Sequence, residues 1–410
     1  MDSSLKNFDI VIVGSGMIGT SLALALAPLN LNIAIVESFK AENSKHPSFD
    51  DRSTALSRST QRMLMAMDLW NEIIIASSPI KHIHVSDKGR FGFSHIDANE
   101  EGVEALGYVV INRVLGEILN SSLRSKKNVS VFCPAKVHNI KFDNNRVTAK
   151  VTSENDEFTL SSKLIVAADG ANSSVREMMG IKVVKNDYAQ RAVIGNLVTE
   201  KPLLNRAFER FTPQGPLAIL PLVGDRAGFI WTVNENDASR ISSLDDNSFL
   251  DEIQEEFGYR LGKFSRLGTR TNYPLVLSKA SQLTVSRGVL IGNAAHGLHP
   301  VSGQGFNLGM RDVAALSECI ADNLSMSSDP GDKEILDRYA SWRRADQKKL
   351  VYFTDNLVRL FGSLRTDIKV LRNIGMIGFD LIPGVRSIFA KHTMGLAGEL
   401  PRLSRGVPLR

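Results

Sequence analysis

At 410 residues the chain exceeds the size at which one hydrophobic core keeps growing, so two domains, or one large domain with an insertion, are expected. With 43% apolar and 23% charged residues it can bury a sizeable core, which excludes a collagen-like or disordered chain. The net charge of +5 is concentrated late: residues 331–410 hold 15 Lys/Arg against 8 Asp/Glu, and no aromatic interleaving or motif points to nucleic acid.

Residues 10–36 carry no charged side chain, but three glycines, Pro28 and two asparagines interrupt them, so a membrane span is rejected. No basic n-region or small-residue cleavage site precedes the run, and no signal peptide is expected. It divides into a strand over 9–13, the turn Gly14-Ser15-Gly16-Met17-Ile18-Gly19, a helix over about 20–27 and a strand over 33–36 ending on Glu37. In such a βαβ unit Gly14 permits the tight turn, Gly16 lets the backbone approach a pyrophosphate and Gly19 allows close helix–strand packing. Glu37 accepts both ribose hydroxyls, which favours a free 2′-OH, as in FAD or NAD; the bland reading is a glycine-rich structural turn.

After a polar loop, Asp51-Arg52-Ser53-Thr54-Ala55-Leu56 leads into a helical pattern through Met63 and Leu64, placing Arg52 at a helix start as a cofactor contact or a surface ion pair. His82 and His84 lie on one strand of a β-hairpin turning at Asp87-Lys88-Gly89-Arg90; lacking a partner at a metal spacing, they read as structural. A strand over 107–111 enters a helix carrying Arg113, and strands over 129–132, 137–143 and 146–152 suggest a meander. The strand over 163–168 ends on Asp169-Gly170, where open α/β sheets bind ligands, although Asp169 also suits a helix N-cap.

From 187 to about 273 the apolar period becomes 2, a mostly antiparallel sheet forming the second wall of a substrate pocket. Phe211, Leu220, Pro221, Leu222 and Trp231 are its candidate lining residues. A short apolar strand over 288–291 then opens a Gly- and Pro-rich loop, which enters a helix through Phe306, Met310, Val313 and Leu316. Free N–H groups at that helix start suit an electron-rich ligand. The two cysteines, Cys133 and Cys319, fit no metal spacing and suggest free thiols in a reducing cytoplasm. The expected fold is mixed α/β. Segments 1–75, 105–182 and 274–330 form a Rossmann-like dinucleotide domain, 76–104 and 183–273 an inserted β-sheet substrate domain, and 331–410 a C-terminal helical region.

Four blocks stand in one order: GSGMIG at 14–19, DRSTAL at 51–56, DGANSSVR at 169–176 and GNAAHGLHPVSGQGFNLGMRD at 292–312. Together they resemble the group A flavoprotein aromatic hydroxylases, whose fold is that of para-hydroxybenzoate hydroxylase, and within them the ubiquinone-biosynthesis hydroxylases. The run HTMGLAGELPRLSRG at 392–406 is most similar to the 2-polyprenyl-6-methoxyphenol hydroxylases. The resemblance implies FAD held by Gly14, Gly16, Gly19, Glu37, Arg52, Arg113 and Asp169, and a nicotinamide cofactor, NADH or NADPH, at Asp169 and Arg176. It also implies that Asn293, where the family usually has Asp, faces the ribityl chain and that Pro300 walls the oxygen-reactive face. The N–H groups of Gly303, Gln304, Gly305 and Phe306, with Asn307, then lie at the flavin ring.

The implied chemistry is flavin reduction by NAD(P)H, O2 addition to a C4a-hydroperoxide, and oxygen transfer to an electron-rich polyprenylated phenol. His296 and His299 read as structural more than catalytic. Arg365, Lys369, Arg372, Arg386 and Lys391, interleaved with apolar residues, suggest a cytoplasmic protein docked on an anionic inner-membrane surface or a quinone-biosynthesis complex; helices packed with basic residues outward fit equally. A flavin-dependent lipid reductase and a non-catalytic FAD-binding scaffold subunit are the competing readings.

Overall fold

The computed structural model describes residues 5–40, 52–89, 93–154, 156–297, 304–324, 329–362 and 389–409, without the side chains of 304 and 349–362. The apolar run Ile10–Val13 (β1) is buried along its whole length, as an interior strand of a parallel sheet must be. Helix α1 (Met17–Leu26) returns the chain to β2 (Ile33–Val36), which lies parallel to β1 with Ile10 opposite Ile33. The DRSTAL block is a strand, β3 (Ser53–Ser57); helix α2 (Arg58–Ala66) starts only after Ser57, whose hydroxyl accepts from the Thr60 N–H at 3.2 Å. Arg52 thus precedes a strand, because the capping serine delays the helix that the apolar spacing suggested.

The hairpin β4 (His82–Asp87) and β5 (Phe93–Asp97) sets His84 opposite His95. Strand β6 (Gly107–Ile111) enters α3 (Asn112–Arg124), and β7 (Val129–Phe132) runs parallel to β2. β7 therefore belongs to the dinucleotide-type sheet and not to the expected meander. The hairpin partners Ala135–Phe142 and Val147–Ser153 make a separate sheet with Glu157–Ser162 and Leu5–Asn7.

Strand β8 (Leu164–Ala167) pairs with the other edge of β1. The inserted layer comprises β9 (Val183–Thr199), β10 (Arg206–Phe211), β11 (Pro216–Pro221), β12 (Arg226–Asn234), helix α4 (Asp246–Phe257) and β13 (Thr271–Ala280). The chain returns through β14 (Gly288–Leu290), beside β8, to α5 (Gln304–Leu324) and α6 (Lys333–Gly362). The central sheet has the order β14-β8-β1-β2-β7, and the larger mixed sheet the order β13-β9-β12-β11-β10-β4-β5.

Strand pairing redraws the expected boundaries twice. Ser77–Ile80 joins β6 in a small sheet with β3, so this stretch stays with the first layer. Residues 274–280 stay with the large sheet, because the first half of the 17-residue β9 pairs Val183 with Ala280 and Asp187 with Val276.

The large sheet is covered differently on its two faces. On one, Phe208, Leu217, Ile219, Phe229 and Trp231 pack against Phe249, Ile253 and Phe257 of α4, with Trp231 and Phe249 ring centroids 5.8 Å apart. On the other, Ala207, Leu220, Leu222 and Ile230 meet Ile80, Val109, Ile111, Ala390 and Met394. Trp231 is therefore a core residue of the helix-covered side, and strand alternation puts Pro221 on that side too, opposite Ala227. Neither lines a pocket facing the first layer. Leu220 and Leu222 do face it, and Phe211 shares that face by its spacing from Ala207.

The C-terminal segment packs inward where it is described. Leu403 and Leu409 are buried in the main core, and the Tyr339 hydroxyl donates to the Leu290 carbonyl at 3.0 Å. No helix among the described residues is long and apolar enough to cross a membrane. Cys319 is buried, which pushes its thiol up to about 12, and Cys133 is an exposed free thiol.

Trp231→Ala should cost about 3–5 kcal/mol by leaving a cavity in a well-packed core. The measurement is the urea midpoint, which should fall; an unchanged midpoint would contradict the assignment of Trp231 to the core.

Candidate active site

The turn after β1 is shaped by what its glycines touch. Gly14 has φ +104°, and a Cβ there would lie 2.5 Å from the Ala168 carbonyl oxygen. A Cβ on Gly19 would lie 1.9 Å from the Gly14 carbonyl oxygen, so helix, turn and β8 meet only with glycine at both positions. Gly16 is the N-cap of α1 and supplies no side-chain cap, and no acidic residue sits in the first turn. The N–H groups at this end suit a pyrophosphate.

Glu37, 6% exposed at the end of β2, accepts from the Ser15 N–H at 2.7 Å and the Phe39 N–H at 2.9 Å. These bonds aim the carboxylate along the turn. The Ser38 hydroxyl also donates to it at 3.4 Å, and an acid at this end of a strand is where such units meet ribose hydroxyls. The turn, the helix start and this carboxylate together fit the adenosine half of a dinucleotide.

Arg52 and Arg113 come together across β3 and α3. The Asn112 N–H donates to the Arg52 carbonyl at 2.8 Å, and the Thr54 hydroxyl to Asn112 Oδ1 at 2.6 Å. The Arg52 guanidinium lies over the Tyr273 ring, 4.5 Å from its centroid, so a side chain of the large sheet orients it. Arg113 is half-exposed and paired with Glu117 at 3.0 Å.

The Asp169-Gly170 block is knitted internally. Asp169 accepts from the Val175 N–H at 3.1 Å and from the hydroxyls of Ser173 and Ser174, but the N-cap of the short helix Ser174–Met178 is Ser173, whose hydroxyl accepts from the Arg176 N–H at 2.9 Å; Asp169 braces that cap and is not itself the cap. Arg176 is 5% exposed and donates to the carbonyls of Ala294 and Ala171, each at 3.0 Å. Its guanidinium points inward and ties this block to the 292–294 turn, where sequence reasoning had turned it towards a nicotinamide nucleotide.

In the 292–297 loop, Gly292 has φ +58° and Asn293 is exposed, leaving its amide open to a ligand. Pro300, Gly303 and His299 lie outside the described residues, and α5 begins at Gln304. A Cβ on Gly305 would meet nothing within 4 Å, and Phe306 packs part-buried against the core. Asn307 is turned away from that space: Oδ1 accepts from the Ser57 N–H and the Thr60 hydroxyl, both at 2.8 Å, and Nδ2 donates to the Ala55 carbonyl at 2.8 Å. Its side chain clamps α5 to β3 and α2.

A residue that the sequence reading gave no role anchors this loop. Asp312, fully buried on α5, accepts from the Gly292 N–H at 2.8 Å and makes 2.6 Å contacts with His296 Nε2 and Arg343 Nε. Burial alone would raise its carboxyl; His296 and Arg343 outweigh that and hold it below the usual carboxylate range. Arg343 also pairs with Asp346, which accepts from Arg311 at 2.8 Å. The only sequence signal was the alternation of Arg and Asp in MRD at 310–312 and RRAD at 343–346.

The large sheet closes over this layer beside Arg52. A Cβ on Gly228 would lie 2.6 Å from Ser53 Oγ, so β12 and β3 are in direct apposition. This join brings the dinucleotide-type geometry of one layer against the apolar face of the other.

Asp312→Asn would leave Arg343 buried beside a neutral partner, at a cost of about 3–5 kcal/mol. A carboxyl depressed in the folded state stabilises above its unfolded value and loses that contribution as pH falls. Chemical denaturation should therefore find the gap between wild type and variant fully present at neutral pH and narrowing below about pH 4. A gap independent of pH would contradict the account.

Comparison with known proteins agrees with this geometry. Residues 7–354 match the family model described as FAD binding domain. The chain is 34% identical over 410 residues to the ubiquinone hydroxylase UbiL of Rhodospirillum rubrum, covering 99% of this chain and 95% of that protein. It is 28% identical to the 3-demethoxyubiquinol 3-hydroxylase of Escherichia coli (strain K12), covering 95% and 98%. Among solved structures, p-nitrophenol 4-monooxygenase PnpA from Pseudomonas putida DLL-E4 superposes with a TM-score of 0.81 at 18% identity, covering 96% and 100%, a likeness of fold. The chain therefore belongs to the FAD-dependent aromatic hydroxylases of ubiquinone biosynthesis, monooxygenases that hold FAD and draw on NAD(P)H and O2.

Proposed function

We propose that this hydroxylase acts on a polyprenylated phenol, 2-polyprenyl-6-methoxyphenol, at the ring carbon para to the hydroxyl. The observation that carries the reading is the join of the two layers beside Arg52, where Gly228 abuts Ser53, Tyr273 stacks on Arg52, and the sheet turns its apolar side towards the first layer. Relatives named as ubiquinone hydroxylases support it. A prenylated ring is apolar over most of its surface and gains by leaving water for such a face.

FAD, when bound, supplies the two-electron chemistry that turns O2 into a donor of one electrophilic oxygen atom. The protein does the rest by placement. The α1 turn and Glu37 hold the nucleotide end, and Arg52, braced on Tyr273, places positive charge at the join of the layers. Asp312 fixes the 292–296 loop, and the start of α5 offers N–H groups where negative charge develops. The sheet face excludes water and orients the ring, whose own hydroxyl activates the para carbon.

Turnover of a 2-prenyl-6-methoxyphenol analogue with NAD(P)H under 18O2 tests the reading. It requires label in a para-hydroxylated product. Unlabelled reduced product would indicate a lipid reductase, and failure to reduce the flavin a scaffold subunit.

We infer that the substrate's tail is met at a lipid surface through the basic C-terminal region. The charge excess of 331–410 supports this; Arg365, Lys369, Arg372 and Arg386 themselves lie outside the described residues. Deleting the whole tail would remove Ala390, Met394 and Leu403 from the core, so neutralising those four positions to Gln is the cleaner variant. Sedimentation with phosphatidylglycerol vesicles should fall in the variant and in high salt. Equal sedimentation of variant and wild type would reject docking by this region.

A further inference from the structure

One charged side chain on the sheet face that looks towards the cofactor layer has no part in the contacts described so far. Glu209 lies at the middle of β10, two residues from Ala207 and two from Phe211, and so shares their face. Its neighbours in register are Val85 on β4 and Ala218 on β11. The carboxyl is part-buried among these apolar side chains, and among the described residues no hydrogen bond or ion pair engages it.

An unpartnered carboxylate in such a setting is costly and is not retained for packing. The sheet supplies its direction. Ala218 pairs with Ile230, so Glu209, Ala218 and Ile230 form one row across β10, β11 and β12. Gly228, two residues from Ile230 on the same face, is the point where the sheet meets Ser53 beside Arg52. Two strand spacings along the sheet, about 10 Å, separate Glu209 from the strand that makes that contact. The acid thus lies on the face turned towards the first layer, within an aromatic ring's reach along the sheet of the join beside Arg52.

We propose that Glu209 is the catalytic residue that accepts the phenolic proton of the substrate. This rests on the phenol reading above. The phenol O–H bond breaks and its proton passes to a Glu209 carboxylate oxygen. The freed electron pair moves into the ring, and the para carbon bonds to the electrophilic oxygen atom derived from O2, whose O–O bond breaks and takes up the departing pair. NAD(P)H supplies the two electrons that reduce O2, and the ring recovers aromaticity by losing the hydrogen of the attacked carbon as a proton. Burial, acting alone, pushes the Glu209 carboxyl up to about 7, which matches a proton acceptor working near neutrality.

The test compares wild type, Glu209→Gln and Glu209→Asp, each with FAD content checked by absorbance. Binding of 2-methoxy-6-prenylphenol is followed by ultraviolet difference spectroscopy, and hydroxylation is followed from pH 5.5 to 8.5, a range spanning the usual working values of such acids. In wild type, kcat/KM should rise with pH through about 7 as the carboxylate ionises, and then level. Glu209→Gln should bind the phenol yet hydroxylate it at least ~100-fold more slowly, without that limb, and a ring-fluorinated, more acidic phenol should recover part of the loss. Glu209→Asp should keep the limb at reduced rate. If Glu209→Gln hydroxylates as fast as wild type with the same pH profile, the assignment of Glu209 is overturned while the phenol reading stands. If wild type neither binds nor hydroxylates the phenol, both fall.

Discussion

The buried carboxylate of Asp312 is the interaction on which the rest of the site depends. It joins the Gly292 N–H, His296 and Arg343, and so fixes the loop after β14 to α5 and to the C-terminal helix α6. A charge with no exposure is tolerable only when its partners are equally fixed, and Arg343 is itself held by Asp346 and the Leu308 carbonyl. The loop that bears Asn293 is thereby held on a rigid base. Arg176 ties the Asp169 block to the same loop through the Ala294 carbonyl.

The second constraint is the two-sidedness of the large sheet. Because side chains alternate, covering one face with α4 commits Phe229 and Trp231 to a core and leaves Ala218, Leu220, Ile230 and Glu209 to face the cofactor layer. Tyr273 and Gly228 make the join, one by stacking under Arg52 and the other by admitting Ser53 at close range. The two layers are thus joined through β3, which touches both.

Legibility in the sequence followed the range of the interaction. The α1 turn was readable because Gly14 and Glu37 answer local demands: a positive φ, and an acid at the end of a strand. The position of β3 was not, since Ser57 caps a helix that the apolar spacing seemed to start earlier. Alternation gave the residues of the sheet faces but not which face α4 covers, and Trp231 and Pro221 were placed on the wrong side for that reason. The clamp made by the Asn307 side chain was not legible, because its partner Ser57 lies 250 residues away. Arg176 and Ala294, 118 residues apart, hid their contact in the same way.

The central claim is spatial: FAD and the aromatic ring meet where β3 joins the Ala218–Leu220–Ile230 face. A crystal structure of the FAD-loaded protein with a short-chain 2-prenyl-6-methoxyphenol tests it most directly. The account predicts the ring between the flavin and that face, with the prenyl group running along Leu220 and Leu222. A ring bound on the α4 side of the sheet, or away from the flavin, would contradict it.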